Sequence, residues 1–176
     1  MHDTFPRPHL SIASLLTLLL AAFPSYAVVS ARVISVHDGD TLTVLIDHRP
    51  VRVRLTDIDA PELGQPFGTR SRQSLLELCF GKSAALEVRN RDRYGRTLAQ
   101  VTCAGTDANA EQVRRGYAWT YVRYARPDSP LIALESEARA AHRGLWQDPA
   151  PVAPWDWRRN GHHSGTSDEV KVTRYR

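Results

Sequence analysis

Cysteine is scarce in this sequence, and zinc-binding motifs and long apolar runs are missing, which excludes several classes of protein. Only two cysteines are present, and neither is spaced with histidine as in a zinc site. Beyond residue 27, no apolar run approaches the ~20 residues of a transmembrane helix. No internal repeat is visible. A chain of 176 residues then corresponds to one globular domain with a modest core and additional terminal segments.

Lysine is also nearly missing, because 21 of the 23 basic residues are arginine. The net charge of +4 favours a polyanionic partner such as nucleic acid. An arginine bias this strong can equally reflect the base composition of a genome. The positions of individual arginines therefore carry more weight than the total charge.

Residues 1–27 have the pattern of a secretory signal peptide. Arg7 and His9 precede an apolar run, and Ser25-Tyr26-Ala27 supplies small residues for cleavage before Val28. The run is shorter than a membrane span, so an uncleaved anchor is the second interpretation. We expect a mature protein that is secreted or periplasmic, is not in the membrane and is monomeric.

Export bears on the two cysteines, Cys79 and Cys103. An oxidising compartment favours a disulfide between them, and two buried thiols are the alternative.

Apolar alternation and helical spacing predict a small mixed domain. Strands are expected at 31–36, 41–46, 51–55, 84–88 and 97–102, and residues 89–94 are too polar for a strand interior. Helices are expected at 69–80, 107–115 and 130–142. Five strands with a helix between the third and fourth follow the order of an OB-fold, which commonly binds oligonucleotides. We predict a mainly β, α+β fold, namely a five-stranded Greek-key barrel with about three α-helices.

The composition changes after Trp146. Residues 148–154 are proline-rich and extended, and the remainder to Arg176 is polar. We predict a domain at 28–147 followed by a poorly ordered tail at 148–176. One alternative function is an interaction protein that acts through Trp155-Asp156-Trp157-Arg158-Arg159 in this tail.

Acidic residues and arginines are clustered at predicted strand ends. Asp38-Gly39-Asp40-Thr41 lies between two strands, Arg54 begins a segment that runs to Glu62, and residues 92–97 follow. Carboxylates bind hard cations such as Ca²⁺ or Mg²⁺, and the planar guanidinium binds two phosphate oxygens. These are the groups needed for metal-assisted phosphodiester hydrolysis. The simpler interpretations are turn-capping aspartates, solvated arginines and an exposed loop glutamate.

In these motifs the sequence resembles a secreted bacterial member of the thermonuclease (staphylococcal nuclease-like) family, from about Ala31 to Trp146. The motifs lie in order and at compact spacing. They are Asp38–Thr41, Arg54–Leu55 with Ile58–Glu62, Asp92–Arg96, Asn109 with Val113–Gly116, and Arg143–Trp146.

The resemblance implies a Ca²⁺-dependent nuclease that cleaves DNA and RNA and leaves 3′-phosphates. It assigns Asp40 and Asp59 as Ca²⁺ ligands, with a third oxygen from the backbone carbonyl of Ala60. The familiar pattern has threonine at this last position. Alanine keeps the carbonyl and loses a hydroxyl, so ligation should survive.

The resemblance also assigns the catalytic groups. Glu62 is the general base or orients the attacking water, and Arg54 and Arg96 neutralise the phosphorane-like transition state. A non-catalytic OB-fold module that only binds nucleic acid is the main alternative. Non-catalytic relatives usually lose one or more acidic or arginine positions, and all are present here, which favours the enzyme.

Two tyrosines are the candidates for substrate binding. Tyr94 lies among arginines, and aromatic and basic surfaces bind single strands with little sequence preference. The family has a tyrosine in its nucleotide pocket, and Tyr124 is our candidate for that position.

Overall fold

The computed structural model describes residues 28–123 and 125–161. Its strands are β1 (Val28–Val36), β2 (Thr41–Ile46), β3 (Arg49–Leu55), β4 (Ile58–Asp59), β5 (Ser83–Arg91), β6 (Thr97–Cys103), β7 (Thr106–Asp107) and β8 (Trp119–Thr120). Its helices are α1 (Gly68–Cys79), α2 (Ala108–Arg114), α3 (Pro130–Ala140), a 3₁₀ helix (Gly144–Gln147) and α4 (Pro154–Arg159). Within the described residues, none of these helices combines the length and apolar character needed to cross a membrane.

The five long strands close into a barrel. Antiparallel pairing gives the order β3-β2-β1-β5-β6, and β3 also pairs in parallel with β6. Val53 lies opposite Thr97 and Leu55 opposite Ala99 across this closing seam. The predicted five-stranded OB-fold barrel is confirmed, and closure leaves the long strands without the exposed edge of an open sheet.

Alternating strand residues fill the barrel interior. In β6, buried and half-buried residues alternate from Thr97 to Cys103, as expected when one face points into a core. The largest fully buried side chains of the barrel are aliphatic, namely Val33, Leu42, Val44, Val53, Leu55, Leu86 and Val101. Apolar burial of this kind is the main stabilising contribution of the fold.

A disulfide joins α1 to the barrel. Cys79 ends the helix and Cys103 ends β6, and the two are bonded with their Cα atoms 5.2 Å apart. The predicted disulfide is therefore confirmed, and the buried-thiol alternative is wrong. A disulfide between residues separated by 24 positions contributes roughly 3 kcal/mol to stability in the chain-entropy model.

Strand β5 is longer than predicted. Residues 89–91, which we expected in a loop, continue the strand, and Asn90 and Arg91 lie opposite Leu98 and Thr97 of β6. Pairing with β6 satisfies the backbone while the side chains remain exposed, so polarity does not end the strand.

The chain forms a fourth helix where we predicted a poorly ordered tail. Helix α4 begins with Pro154, whose ring favours the backbone angle of a first helical position. Trp155 stacks on Tyr121, with ring centroids 5.4 Å apart, and packs edge-on against Trp119. Burial of aromatic surface orders this segment, so the prediction of disorder is wrong for 154–159. Residues 162–176 and the predicted signal peptide at 1–27 lie outside the described residues.

Candidate active site

The turn between β1 and β2 holds Asp40 in one position. A Cβ atom on Gly39 would lie 1.8 Å from Ser71 Oγ and 2.7 Å from Ala60 Cβ, so only glycine fits there. Gln112 Nε2 donates to the Gly39 carbonyl over 2.7 Å. The turn is thereby fixed against α1, α2 and the segment after β4.

Arg54 joins the two carboxylates that the sequence predicts as metal ligands. Its Nη1 lies 2.6 Å from Asp40 Oδ2, and its Nη2 lies 2.8 Å from Asp59 Oδ1. Both aspartates are buried, and the backbone N–H of Ala60 donates to Asp40 Oδ2 over 2.7 Å. Asp38 accepts from the N–H of Asp40, which is a turn-capping role. The structure thus brings Asp40, Arg54, Asp59 and Ala60 together.

Burial governs the electrostatics of this group. It raises the pKa of Asp40 to about 7, against the opposing attraction of Arg54. The pKa of Asp59 is also raised, first by burial and then by repulsion from Asp40. Two buried carboxylates that repel each other favour an additional cation nearby.

The donor set fits a hard cation with few protein ligands. Among residues 28–123 and 125–161, no three histidine, cysteine, aspartate or glutamate side chains are grouped as a metal site. Asp40 and Asp59 would supply two carboxylates, and backbone or water oxygens would complete the coordination. Ca²⁺ accepts such mixed oxygen ligands.

Glu62 lies in a tightly packed loop beside these acids. Its backbone N–H donates to Gln65 Oε1, and its carbonyl accepts from the N–H of Gln65. A Cβ atom on Gly68 would lie 1.9 Å from the Glu62 carbonyl oxygen, so this loop packs directly against the first residue of α1. The Glu62 side chain is 28% exposed and within reach of solvent. Its position suits a group that acts on a water molecule.

Arg96 and Tyr94 line the same cleft from the turn between β5 and β6. The cleft has a volume of about 770 Å³, and Asp40, Asp59 and Glu62 also line it. Arg96 Nε lies 2.7 Å from Asp92 Oδ2, and its guanidinium lies over the Tyr94 ring at 5.6 Å. The ion-pair partner of Arg96 is therefore Asp92 and not the acidic group around Arg54. Tyr124 lies outside the described residues.

Arg158 is the site residue that the sequence analysis did not identify. Helix α4 places its Nη2 2.7 Å from Asp59 Oδ2 and its Nη1 2.6 Å from Glu62 Oε1. The only signal in the sequence is the alternation of aromatic and charged residues at 155–159 in an otherwise polar segment. That alternation predicts a surface for interactions and gives no sign of a catalytic role.

Comparison with known proteins agrees with this geometry. A family model described as staphylococcal nuclease homologue matches residues 52–148. Protein ParB of Escherichia coli is 42% identical over 164 residues, which cover 88% of this chain and 93% of the relative. Micrococcal nuclease of Shigella flexneri is 42% identical over 152 residues, covering 81% of this chain and 87% of the relative.

A protein of Escherichia coli O157:H7, described as an uncharacterized endonuclease, is 43% identical over 145 residues, covering 81% of this chain and 94% of the relative. The residues matched by the family model include Arg54, Asp59, Glu62 and Arg96, and they end before α4. The chain therefore belongs to the staphylococcal nuclease homologue family, a family of phosphodiester hydrolases.

Proposed function

We propose that this protein is an exported, Ca²⁺-dependent endonuclease that hydrolyses DNA and RNA and leaves 3′-phosphates. One observation carries the proposal. Two buried carboxylates, Asp40 and Asp59, share the guanidinium of Arg54 beside a solvent-accessible Glu62. Family membership supports phosphodiester hydrolysis, and the charge of this cluster supports a cation.

Asp40 and Asp59 would hold the cation, together with the backbone carbonyl of Ala60. Both carboxylates are buried beside each other, so a cation offsets their mutual repulsion. When bound, Ca²⁺ supplies Lewis-acid polarisation of a phosphoryl oxygen. Two carboxylates form an open site with room for substrate oxygens.

Glu62 acts on the attacking water, either as its base or by orienting it. Arg54 and Arg96 bind the phosphate and stabilise the charge that develops on it. Asp92 holds Arg96 by its Nε, which orients the guanidinium in the cleft. Preorganised donors of this kind need little rearrangement during the reaction.

Tyr94 provides a stacking surface for single-stranded substrate. Tyr94 is 68% exposed, and the guanidinium groups of Arg93 and Arg96 lie over its ring at 4.8 and 5.6 Å. Bases stack on such rings regardless of sequence. The same surface would also serve the alternative function, that of a module that binds nucleic acid without cleaving it.

Digestion of plasmid DNA and of an RNA oligonucleotide separates these functions. The mature protein should cleave both in Ca²⁺ and neither in excess EGTA. Asp59→Asn should abolish cleavage, whereas Asp128→Asn, at an exposed aspartate paired with Arg126, should cleave like the wild type. Products should need phosphatase treatment before a polymerase extends them, because their 3′ ends carry phosphate. Binding without cleavage in Ca²⁺ would support the alternative.

Export is proposed from the pattern of residues 1–27 and is supported by the Cys79–Cys103 disulfide, which suits an oxidising compartment. We further propose that the enzyme is a monomer, since one chain contributes all the site residues described above. Mass spectrometry of protein recovered from a bacterial periplasm or medium should give a mature chain that begins at Val28. Retention of residues 1–27 would contradict cleavage, and size-exclusion chromatography tests the monomer.

A further inference from the structure

We infer that Arg158, carried by helix α4, is a third arginine of the active site and positions Asp59 and Glu62 for catalysis. This inference rests on the proposed nuclease function. Helix α4 lies C-terminal to residues 52–148, which match the family model. The nuclease domain is thus completed by a segment outside that match.

The geometry of Arg158 is that of a bridge between two acids. Nη2 lies 2.7 Å from Asp59 Oδ2, and Nη1 lies 2.6 Å from Glu62 Oε1. Nη1 also donates to Asp59 Oδ1 over 3.4 Å. A planar guanidinium holds two carboxylates at a fixed relative position, which one ammonium group does not reproduce.

Arg158 and Arg54 hold Asp59 from two sides. Arg54 bonds Oδ1 and Arg158 bonds Oδ2, while the Asp59 side chain is 1% exposed. The three acids Asp40, Asp59 and Glu62 thus face two guanidinium groups, and Arg158 is the one that reaches Glu62.

Aromatic contacts hold α4 in place, so Arg158 reaches the site from an ordered helix. Trp155 stacks on Tyr121 at 5.4 Å and packs edge-on against Trp119 at 6.4 Å. Just before the helix, Gln65 Nε2 donates to the Val152 carbonyl over 2.6 Å. Gln65 also accepts from the N–H of Glu62, so one side chain joins the catalytic loop to the segment that carries Arg158.

The two ion pairs of Arg158 have opposite consequences. Its bond to Glu62 holds the carboxylate in a productive position, so removing the guanidinium should slow the chemical step. Its positive charge beside Asp59 repels a cation bound there, so removing that charge should strengthen Ca²⁺ binding. A residue that merely stabilised the fold would not produce this pair of effects.

Arg158→Gln and Arg158→Lys test the inference, with Arg159→Gln as the matched control. Arg159 is the next residue of the same helix, is 73% exposed and pairs with Asp156 and not with the site acids. Steady-state cleavage of a single-stranded oligonucleotide gives kcat and KM, and isothermal titration gives Ca²⁺ affinity. Thermal melting compares the folded state of all variants.

For Arg158→Gln we expect kcat to fall ~30- to 100-fold with KM changed less than ~3-fold, because Arg158 bonds Glu62 and makes no bond to the phosphate in this mechanism. Its Ca²⁺ affinity should rise ~5- to 10-fold. Arg158→Lys, which keeps the charge, should have a reduced kcat while its Ca²⁺ affinity stays near wild type. Arg159→Gln should match the wild type in both measurements.

Three results would overturn the inference. Unchanged kcat and Ca²⁺ affinity in Arg158→Gln would show that the bridge is without function. Tighter Ca²⁺ binding with higher activity would make Arg158 a competitor of the cation and not a positioning residue. If Arg158→Gln does not fold, Arg158→Lys provides the test, and a folded Arg158→Lys with full activity would overturn the inference. Wild-type protein that did not cleave at all would refute the proposed function instead.

Discussion

Arg54 and Arg96, the two arginines that the family resemblance assigns to the phosphate, lie in different environments. Arg54 is 15% exposed and bonds Asp40 and Asp59, whereas Arg96 is 27% exposed and pairs with Asp92. Arg54 therefore also supports the fold, because its guanidinium neutralises two buried carboxylates.

We therefore predict that Arg54→Lys and Arg96→Lys differ in stability and not in activity. Each loses a planar donor and should cut turnover by ~10²–10³-fold. Only Arg54→Lys should lower the free energy of unfolding, by ~1–3 kcal/mol, since one ammonium cannot bond both carboxylates equally. Steady-state kinetics and urea denaturation measure the two effects. Equal stabilities would argue against the bridging role of Arg54, and near-normal turnover in Arg96→Lys would leave residues 92–97 as a charged turn.

Asp40 gives the metal-free protein a specific pH dependence. Burial raises its pKa to about 7, from a usual value of 3.8. An acid with a higher pKa in the folded state binds its proton more tightly when folded, so stability is lost as the pH rises between these values. In EGTA, the free energy of unfolding of the wild type relative to Asp40→Asn should fall by as much as ~3 kcal/mol from pH 4 to pH 7. Urea denaturation of both proteins at several pH values checks this. If the difference between their free energies of unfolding did not change with pH, the result would be inconsistent with the raised pKa.

At the scale of elements, the turn between β1 and β2 depends on close packing against α1. Gly39→Ala would place a Cβ 1.8 Å from Ser71 Oγ, and we expect a loss of stability of ~1–3 kcal/mol. Activity should fall as well, because the turn carries Asp40. Gly64→Ala is the matched control, since nothing lies within 4 Å of its added Cβ. Thermal melting and plasmid digestion compare the variants, and a Gly39→Ala protein as stable as Gly64→Ala would disprove the packing argument.

The elements that sequence reasoning missed are those that are ordered by contacts with residues distant in the sequence. Asn90 and Arg91 extend β5 because β6 pairs with their backbone, although their side chains are polar. Helix α4 has only six residues, too few to be stable alone. Trp155 stabilises it through contacts with Tyr121 and Trp119, which lie about 35 residues earlier in the sequence.

At the scale of the whole molecule, the barrel and its disulfide maintain the fold without the cation. We predict native circular dichroism in excess EGTA while cleavage is abolished, because only two carboxylates are expected to bind Ca²⁺. Ca²⁺ at ~100 times its Kd should raise the free energy of unfolding by ~2.7 kcal/mol. Asp59→Asn should lose this stabilisation, and Asp128→Asn should keep it. A protein that kept full activity in excess EGTA, or that unfolded there, would contradict this prediction.

The sequence by itself determined the barrel and predicted most of the residues that the structure brings together in the cleft. Alternation in β3 and β6 specifies which side chains enter the core, since strand geometry has a period of two. Asp40, Asp59 and Glu62 lie in short motifs whose residue types predict their chemistry.

Tertiary structure alone decided how these groups interact. Arg54 bridges two buried carboxylates, burial raises the pKa of Asp40, and Arg158 bonds Asp59 across a sequence separation of 99 residues. Burial and Coulomb energy depend on distance through space. The distance between Arg158 and Asp59 cannot be read from their spacing along the chain, because the packing of α4 against the barrel determines it.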